Sequence, residues 1–288
     1  MCSADARKVP MNRFVSYAQN FEDVILWRAL KHVERGFYVD CGAYHPTRQS
    51  VTKTFYDRGW RGINIEPIPS LLQEFVVQRP LDVNLAVAVS DGSDGAELYE
   101  IADTGLSTLF HSIAQQHIEA GLSARVMNVP TTTLSDVLRQ SAPNEIHFLK
   151  IDVEGAEHLV LRGADFDRFR PWIVLVEATY PTTQQQSREA WEETLLNAGY
   201  GFAYFDGLNR FYVAKEHSEL SKLIAFPPNV FDDFVPVDQI EAEQALEALR
   251  LSTSWRLTAP LRKTKVIFRV LRDKHAKWCA LVPTFLKV

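Results

Sequence analysis

The chain is poor in cysteine. Its three, Cys2, Cys41 and Cys279, lie far apart and form no C-x-x-C pair. That argues against a cysteine-built zinc site or a disulfide framework and fits a reducing compartment. No run of 18 apolar residues occurs, so no membrane-spanning helix is expected. The opening MCSADARKVPMNRF has no apolar stretch, so no signal peptide is expected either. The phosphate-cradling patterns G-x-x-x-x-G-K-[ST] and G-x-G-x-x-G are both missing, which disfavours a nucleotide held by its pyrophosphate. Internal repeats and low-complexity tracts are missing as well.

What is present is ordinary globular material. Hydrophobic residues make up 46% and charged residues 23%, so disorder is not the expectation. The 288 residues suffice for one α/β domain of roughly 200–250 residues with an appendage. The net charge of −5 is unevenly spread. Residues 252–288 hold nine Lys/Arg against Asp273 alone, a balance of +8, which leaves −13 on residues 1–251. An acidic body of this kind is not a nucleic-acid-binding surface.

Apolar runs alternate with helical patterns along the body. GFYVDCGA (36–43), RGINIEP (61–67), LDVNLAVAVSD (81–91), IHFLKIDVEG (146–155) and PWIVLVEAT (171–179) read as strands, each short and apolar. Helical spacing is expected over 20–35, 68–78, 133–140, 155–168 and 186–198, and Asn20 with Asp23 resembles a capping box. Residues 199–215 carry Asp206-Gly207 between two strand-like runs, a hairpin signal. Strands alternating with helices imply an α/β fold around a mostly parallel sheet, seven-stranded here, with an antiparallel C-terminal hairpin.

Asp40, Glu66, Ser90/Asp91, Asp152 and Glu177 all fall at the carboxyl ends of these strands. Ligands of open α/β sheets bind in the crevice beyond those ends. In Asp40-Cys41-Gly42-Ala43 the glycine lets backbone approach a ligand. Glu66 ends the next strand roughly 20–25 residues on, where an acid accepts the hydroxyls of a ribose. The pattern suits a nucleoside without a pyrophosphate, such as S-adenosylmethionine.

The segments SYAQNFEDVIL, YVDCGAYHPTRQSVTKTFYDRGWRGINIEP, NLAVAVSD, GLSTL and FLKIDVEGAEHLVLRGADFDRFRPWIVLVE resemble, in order and spacing, the FkbM family of methyltransferases. The likeness spans roughly residues 14–215. It implies a Rossmann-like class I methyltransferase fold, S-adenosylmethionine as methyl donor and a hydroxyl acceptor, often on a sugar or a polyketide-type ring. By this resemblance Asp40, Gly42 and Ala43 match the donor-binding glycine motif, with Cys41 inside it. Glu66 matches the ribose acid, Ala88, Val89 and Ser90 the adenine-side stretch, and Asp152 the acid facing the methyl group. Pro46 stands where many members carry a second glycine.

Methyl transfer to a hydroxyl needs an in-line geometry and a base for the hydroxyl proton. Asp152, Glu154 and His45 are the candidate catalytic residues. Asp152 with Glu177 could hold a divalent cation such as Mg2+ through carboxylate oxygens. Asp152 and Glu154 share one side if the strand continues. Glu154, Glu157 and His158 cluster if a helix starts near Glu154; Glu157 also suits a helix N-terminus as a plain dipole partner. Gln19, with Glu22 and Asp23, precedes a helix that could lid the donor site. Ser107 and Thr108 are candidate donor or acceptor contacts, or simply a loop turn.

The expected organisation is an N-terminal helical lid segment (1–36), a methyltransferase domain (37–225), a linker marked by Pro227, Pro228 and Pro236 (226–237) and a helical, basic tail (238–288). The tail combines its cations with Trp255, Phe268 and Trp278, a composition suited to an anionic membrane surface. Its SWRLTAPLR run resembles a tail of glycosyltransferases in bacterial surface-polysaccharide assembly. The expectation is therefore a cytoplasmic O-methyltransferase of a sugar or glycan acceptor, with peripheral membrane or glycosyltransferase association through the tail and oligomerisation left open. The rivals are a polyketide-type acceptor, a nicotinamide-dependent oxidoreductase and a non-catalytic partner in a glycan assembly complex.

Overall fold

A computed structural model describes residues 13–262 apart from 181, 182 and 184. The described residues fall into two compact units that divide between Val235 and Pro236. The first begins with β1 (Phe14–Ser16), α1 (Glu22–Leu30), β2 (Phe37–Cys41), α2 (Lys53–Asp57), β3 (Arg61–Ile65), α3 (Pro69–Gln78) and β4 (Val83–Leu85). Then come β5 (Ala88–Ser90), β6 (Ala96–Ile101), α4 (His111–Glu119), β7 (Ala124–Val129), β8 (Thr131–Thr133) and α5 (Leu134–Ser141). It continues with β9 (Phe148–Ile151), α6 (Glu157–Arg162), β10 (Ile173–Glu177), α7 (Glu192–Asn197), β11 (Tyr200–Phe205), β12 (Asn209–Ala214), α8 (Ser221–Ile224) and β13 (Phe234–Pro236). The second unit contains α9 (Val237–Leu251) and α10 (Thr253–Leu257).

The fold is mixed α/β around a seven-stranded sheet of order β11-β12-β10-β9-β2-β3-β4. The five strands from β10 to β4 run parallel, and β12 is antiparallel to both β10 and β11. FLKI and IVLVE are buried at every position, as strands covered on both faces must be. Side-chain alternation splits the core in two. Val39, Ile63, Leu149, Ile151, Val174 and Val176 face α5, α6 and α7. Tyr38, Phe148, Ile173, Leu175 and Phe211 face α1 and α2, where Ile25, Leu26, Ala29, Leu30 and Phe55 meet them.

Near the carboxyl ends the second face changes character. Asn84, Asn64, Asp40 and Lys150 stand side by side across β4, β3, β2 and β9. Asn64 Nδ2 donates to Asn84 Oδ1 at 2.9 Å and to Asp82 Oδ2 at 3.0 Å. Above this row the fully buried Arg79 donates to Thr52 Oγ1 (2.6 Å), to Ser50 Oγ (2.7 Å) and to the Pro46 carbonyl. Thr52 in turn donates to Asp40 Oδ2 at 3.2 Å. The loop over 46–52 is thus pinned from below by one guanidinium.

Three local expectations are corrected. The third strand is split: residues 83–85 join the large sheet, whereas Ala88–Ser90 pair with Thr131–Thr133 in a sheet of their own. The α1 capping box does not form. Phe21, with φ 63°, is the N-cap, and the Asp23 carboxylate reaches back to Ser16 Oγ and the amides of Tyr17 and Ala18. Residues 153–156 continue neither strand nor helix; Glu154 (φ 52°) and Gly155 (φ 100°) make a left-handed turn.

Between β5 and β8 the chain makes an excursion, in which β6 and β7 pair antiparallel and α4 packs on them. Within the stretch 226–237, the Arg28 guanidinium makes two 2.7 Å contacts with the Asp232 carboxylate. The same side chain donates to the carbonyls of Leu223, Phe226 and Pro227, and β13 pairs with β1. In the second unit Ser252 Oγ caps α10 by accepting from the Trp255 amide, and Arg262 stacks 3.7 Å over the Trp255 ring. No helix among the described residues is long and apolar enough to cross a membrane. Most of the basic stretch read as a membrane-surface helix, 263–288, lies outside the described residues.

Candidate active site

A cavity of about 810 Å³ opens at the carboxyl ends of β2, β3, β9 and β10. This is where the strand order reverses between β2 and β9, the position at which open α/β sheets bind ligands. Its near wall is the turn after β2. Gly42 has φ 75°, and a Cβ built on it would lie 1.7 Å from the Asp152 carbonyl oxygen. Only glycine satisfies both conditions. The amides of Gly42 and Ala43 both donate to the Ile65 carbonyl at 3.1 Å, so the turn is sewn to the end of β3.

Glu66 follows β3 directly. Its Oε2 accepts the Tyr44 amide (3.0 Å) and its Oε1 the Ile68 amide (2.9 Å). Each oxygen keeps a second lone-pair site for a ligand hydroxyl. Burial pushes its pKa up to about 7, against the pull of those two amides.

The floor is acidic. Single carboxylate oxygens of Asp152, Glu154 and Glu177 all lie within 4.8 Å of one another. Burial, then the charges of Asp152 and Glu157, push Glu154 up to about 9. Burial, with Asp152 and Glu154 beside it, raises Glu177 well above the carboxylate range. Three clustered carboxyls in a low dielectric favour retention of a proton by some of them.

One cation meets this floor from below. Lys150 Nζ donates to the Gly42 carbonyl at 2.9 Å and lies 3.2 Å from Asp152 Oδ2 and 3.4 Å from Asp40 Oδ1. Burial pulls its pKa down, but Asp152 and Asp40 more than offset that, so the ammonium stays charged. The Glu154 turn is held by Thr108, whose hydroxyl donates to the Glu154 carbonyl at 2.8 Å. Glu157 Oε1 accepts the amides of Val153 and Gly155, both at 3.1 Å. It orders the turn rather than facing the cavity.

Nine expected site residues line the cavity together: Gln19, Gly42, Ala43, Glu66, Ala88, Val89, Asp152, Glu154 and Glu177. Four do not. Asp40 is buried beneath the turn in its pairing with Lys150 and Thr52. The Cys41 side chain faces the α5–α6 core, and burial with the Asp40 charge keeps its thiol protonated. His45 folds over its own loop, its Nδ1 accepting the amides of Thr47 (3.1 Å) and Arg48 (3.0 Å). Ser90 lies away with the split strand, its hydroxyl 3.4 Å from Asp91 Oδ1. Of the GLSTL pair, Ser107 lines the cavity and Thr108 is buried behind it.

Lys150 went unnoticed in the sequence. The signal was there: two core strands each carry a single charge amid apolar residues, Asp40 in FYVDC and Lys150 in FLKI, of opposite sign. Desolvated charges come in pairs.

Residues 40–202, more than half of the chain, match the methyltransferase FkbM domain. The chain belongs to the FkbM methyltransferase family, which supports an enzyme that transfers methyl groups. Comparison with curated proteins gives no match.

Proposed function

We propose that this protein is an S-adenosylmethionine-dependent O-methyltransferase of Rossmann-like class I architecture whose acceptor is a sugar hydroxyl. One observation carries the reading: a single cavity joins the Gly42 turn and Glu66 on one side to Asp152 and Glu154 on the other. Glu66 would accept the ribose hydroxyls of a nucleoside donor on its free lone pairs, the Gly42–Ala43 turn would hold the methionine part, and Ala88 and Val89 would meet the adenine. The sheet order, with the first strand beside the fourth and an antiparallel strand inserted at one edge, supports the class I assignment.

The acceptor oxygen attacks the methyl carbon as the carbon–sulfur bond breaks. The products are a methyl ether and the neutral thioether, and the hydroxyl proton passes to Asp152. Alignment of the three atoms supplies ~7–11 kcal/mol and the base about 10²–10⁴-fold. The polar rim of Gln19, Gln49, Asp103 and Thr104 suits a polyhydroxylated acceptor. Bacterial surface glycans are the favoured setting, in the cytoplasm or at the inner membrane face through the basic tail.

The test is calorimetric titration with S-adenosylmethionine and with NAD, followed by turnover of glycan acceptors. Binding of the first alone is expected, with Asp152→Asn retaining binding and losing turnover; binding of NAD alone would reject the reading. A second reading, Mg2+ held by Asp152, Glu154 and Glu177, is favoured by their mutual approach within 4.8 Å. Such an ion would orient the acceptor oxygen. Against it stands Lys150, already 3.2 Å from Asp152. Turnover that survives exhaustive chelation would remove this second reading.

A further inference from the structure

We propose that Lys150 is a positioning residue, whose ammonium binds the Gly42 turn, Asp40 and Asp152 into one unit and so fixes the base relative to the methyl donor. The kinetic part rests on the methyl-transfer reading above; the structural part does not.

Lys150 sits directly across from Asp40 in the sheet and is buried with 7% of its surface exposed. A lysine stem is flexible, yet three contacts fix this one. One of the three is a hydrogen bond to a backbone carbonyl, that of Gly42, the residue that also touches the Asp152 carbonyl. Asp40 Oδ1 accepts no hydrogen bond, so the ammonium meets it as a charge at 3.4 Å. Asp40 Oδ2 is tied through Thr52 to Arg79. The result is a continuous buried path from the 46–52 loop to the carboxylate at the cavity floor. Asp152 is the exposed end of that path, its side chain 35% accessible, and the ammonium holds it from below. Without the cation, Asp40 and Asp152 would face each other as like charges across one glycine.

The groups facing Lys150 and Asp152 are all acidic. They are Glu22 from α1, Asp40 from β2, Glu66 after β3, Glu154 and Glu157 around the β9–α6 turn, and Glu177 from β10. Removing the cation therefore removes the contact that ties Asp152 to Asp40 and the Gly42 carbonyl.

Lys150→Met alone would strand Asp40 in the core. The experiment therefore compares Asp40→Asn with Asp40→Asn/Lys150→Met and Asp40→Asn/Lys150→Arg. In the ligand-free proteins amide hydrogen exchange is followed at Gly42 and Ala43, whose amides both donate to the Ile65 carbonyl. The methionine variant should speed exchange at this turn about tenfold or more relative to Asp40→Asn, and the arginine variant should slow it again. In turnover, the methionine variant should lose about a hundredfold in kcat, the scale of a 1 Å misplacement, with S-adenosylmethionine affinity changed far less. Unmoved exchange at the turn, or arginine no better than methionine, overturns the proposal. If exchange changes but the unmutated protein neither binds nor consumes S-adenosylmethionine, the methyl-transfer reading falls and the coupling stands.

Discussion

Replacing Gly42 by alanine should damage both stability and donor binding, and the size of the effect can be worked from contacts. The new methyl carbon would start 1.7 Å from the Asp152 carbonyl oxygen. Non-bonded heavy atoms settle near ~3.5 Å, so the turn and the end of β9 must part. That overpacking costs about 1–3 kcal/mol, and holding alanine at a left-handed φ adds roughly 1–2 kcal/mol. A control separates the two. Gly59 has φ 93° and nothing within 4 Å of its hypothetical Cβ, so Gly59→Ala carries only the backbone cost. For a body of this size each kcal/mol lowers Tm by ~2–4 °C. Gly42→Ala is expected to melt roughly 2–12 °C below Gly59→Ala, measured by circular dichroism. Calorimetry should show weaker S-adenosylmethionine binding in the first variant only. Equal melting of the two variants would refute the claim that the turn is wedged against β9.

Four further outcomes follow from the same contacts. Glu66→Gln should weaken donor binding by about 1–2 kcal/mol, and affinity in the unmutated protein should rise from pH 6 to 8 as Glu66, raised by burial to about 7, ionises; a flat calorimetric profile contradicts its role. Glu22, Asp23 and Glu157 are likewise raised by burial to about 7; the fold binds more protons than the unfolded chain between their ordinary values near 4 and 7, so their stabilisation is full below that window and lost as pH rises through 7. Tm should thus be higher at pH 5 than at pH 8, and Glu157→Gln, which can still accept both amides, should flatten the slope. Thr108→Val removes the hydroxyl that holds the Glu154 carbonyl; a loss of about 1–3 kcal/mol should appear as faster hydrogen exchange at residues 153–156, and unchanged exchange counts against the tether. Asp232→Ala leaves the half-buried Arg28 without its carboxylate but with three backbone carbonyls still accepting from it, and should cost about 1–3 kcal/mol in chemical denaturation.

The parallel strands were legible because burial on both faces leaves an uninterrupted apolar run, as in IVLVE, that no amphipathic helix shares. The third strand misled because Asn84-Leu85 and Ala88-Val89-Ser90 form one such run in sequence, while the split at 86–87 depends on pairing with Thr131–Thr133, over forty positions later. The site was half legible for a related reason. Residues that end a strand, such as Glu66, Asp152 and Glu177, reveal their position by the abrupt change from apolar to acid. Direction is a tertiary property. Asp40 reads like its neighbours, yet points under the turn because Lys150 and Thr52 receive it there. His45 reads as a base at the cavity, yet its Nδ1 accepts two amides of its own loop and the ring does not line the cavity.

The polar row of Asn84, Asn64, Asp40 and Lys150 also disciplines assembly of the sheet. Side chains alternate faces, so a slip of one residue by any of these strands would drive an amide or a charge into the aliphatic layer against α5 and α6, with nothing there to receive it. A strand of valines and isoleucines alone would tolerate such a slide cheaply. Here the row, which includes the Asp40–Lys150 pair beneath the cavity floor, makes a one-residue misalignment expensive, so a chain that has closed its central strands correctly has, by that act, already brought that pair into line.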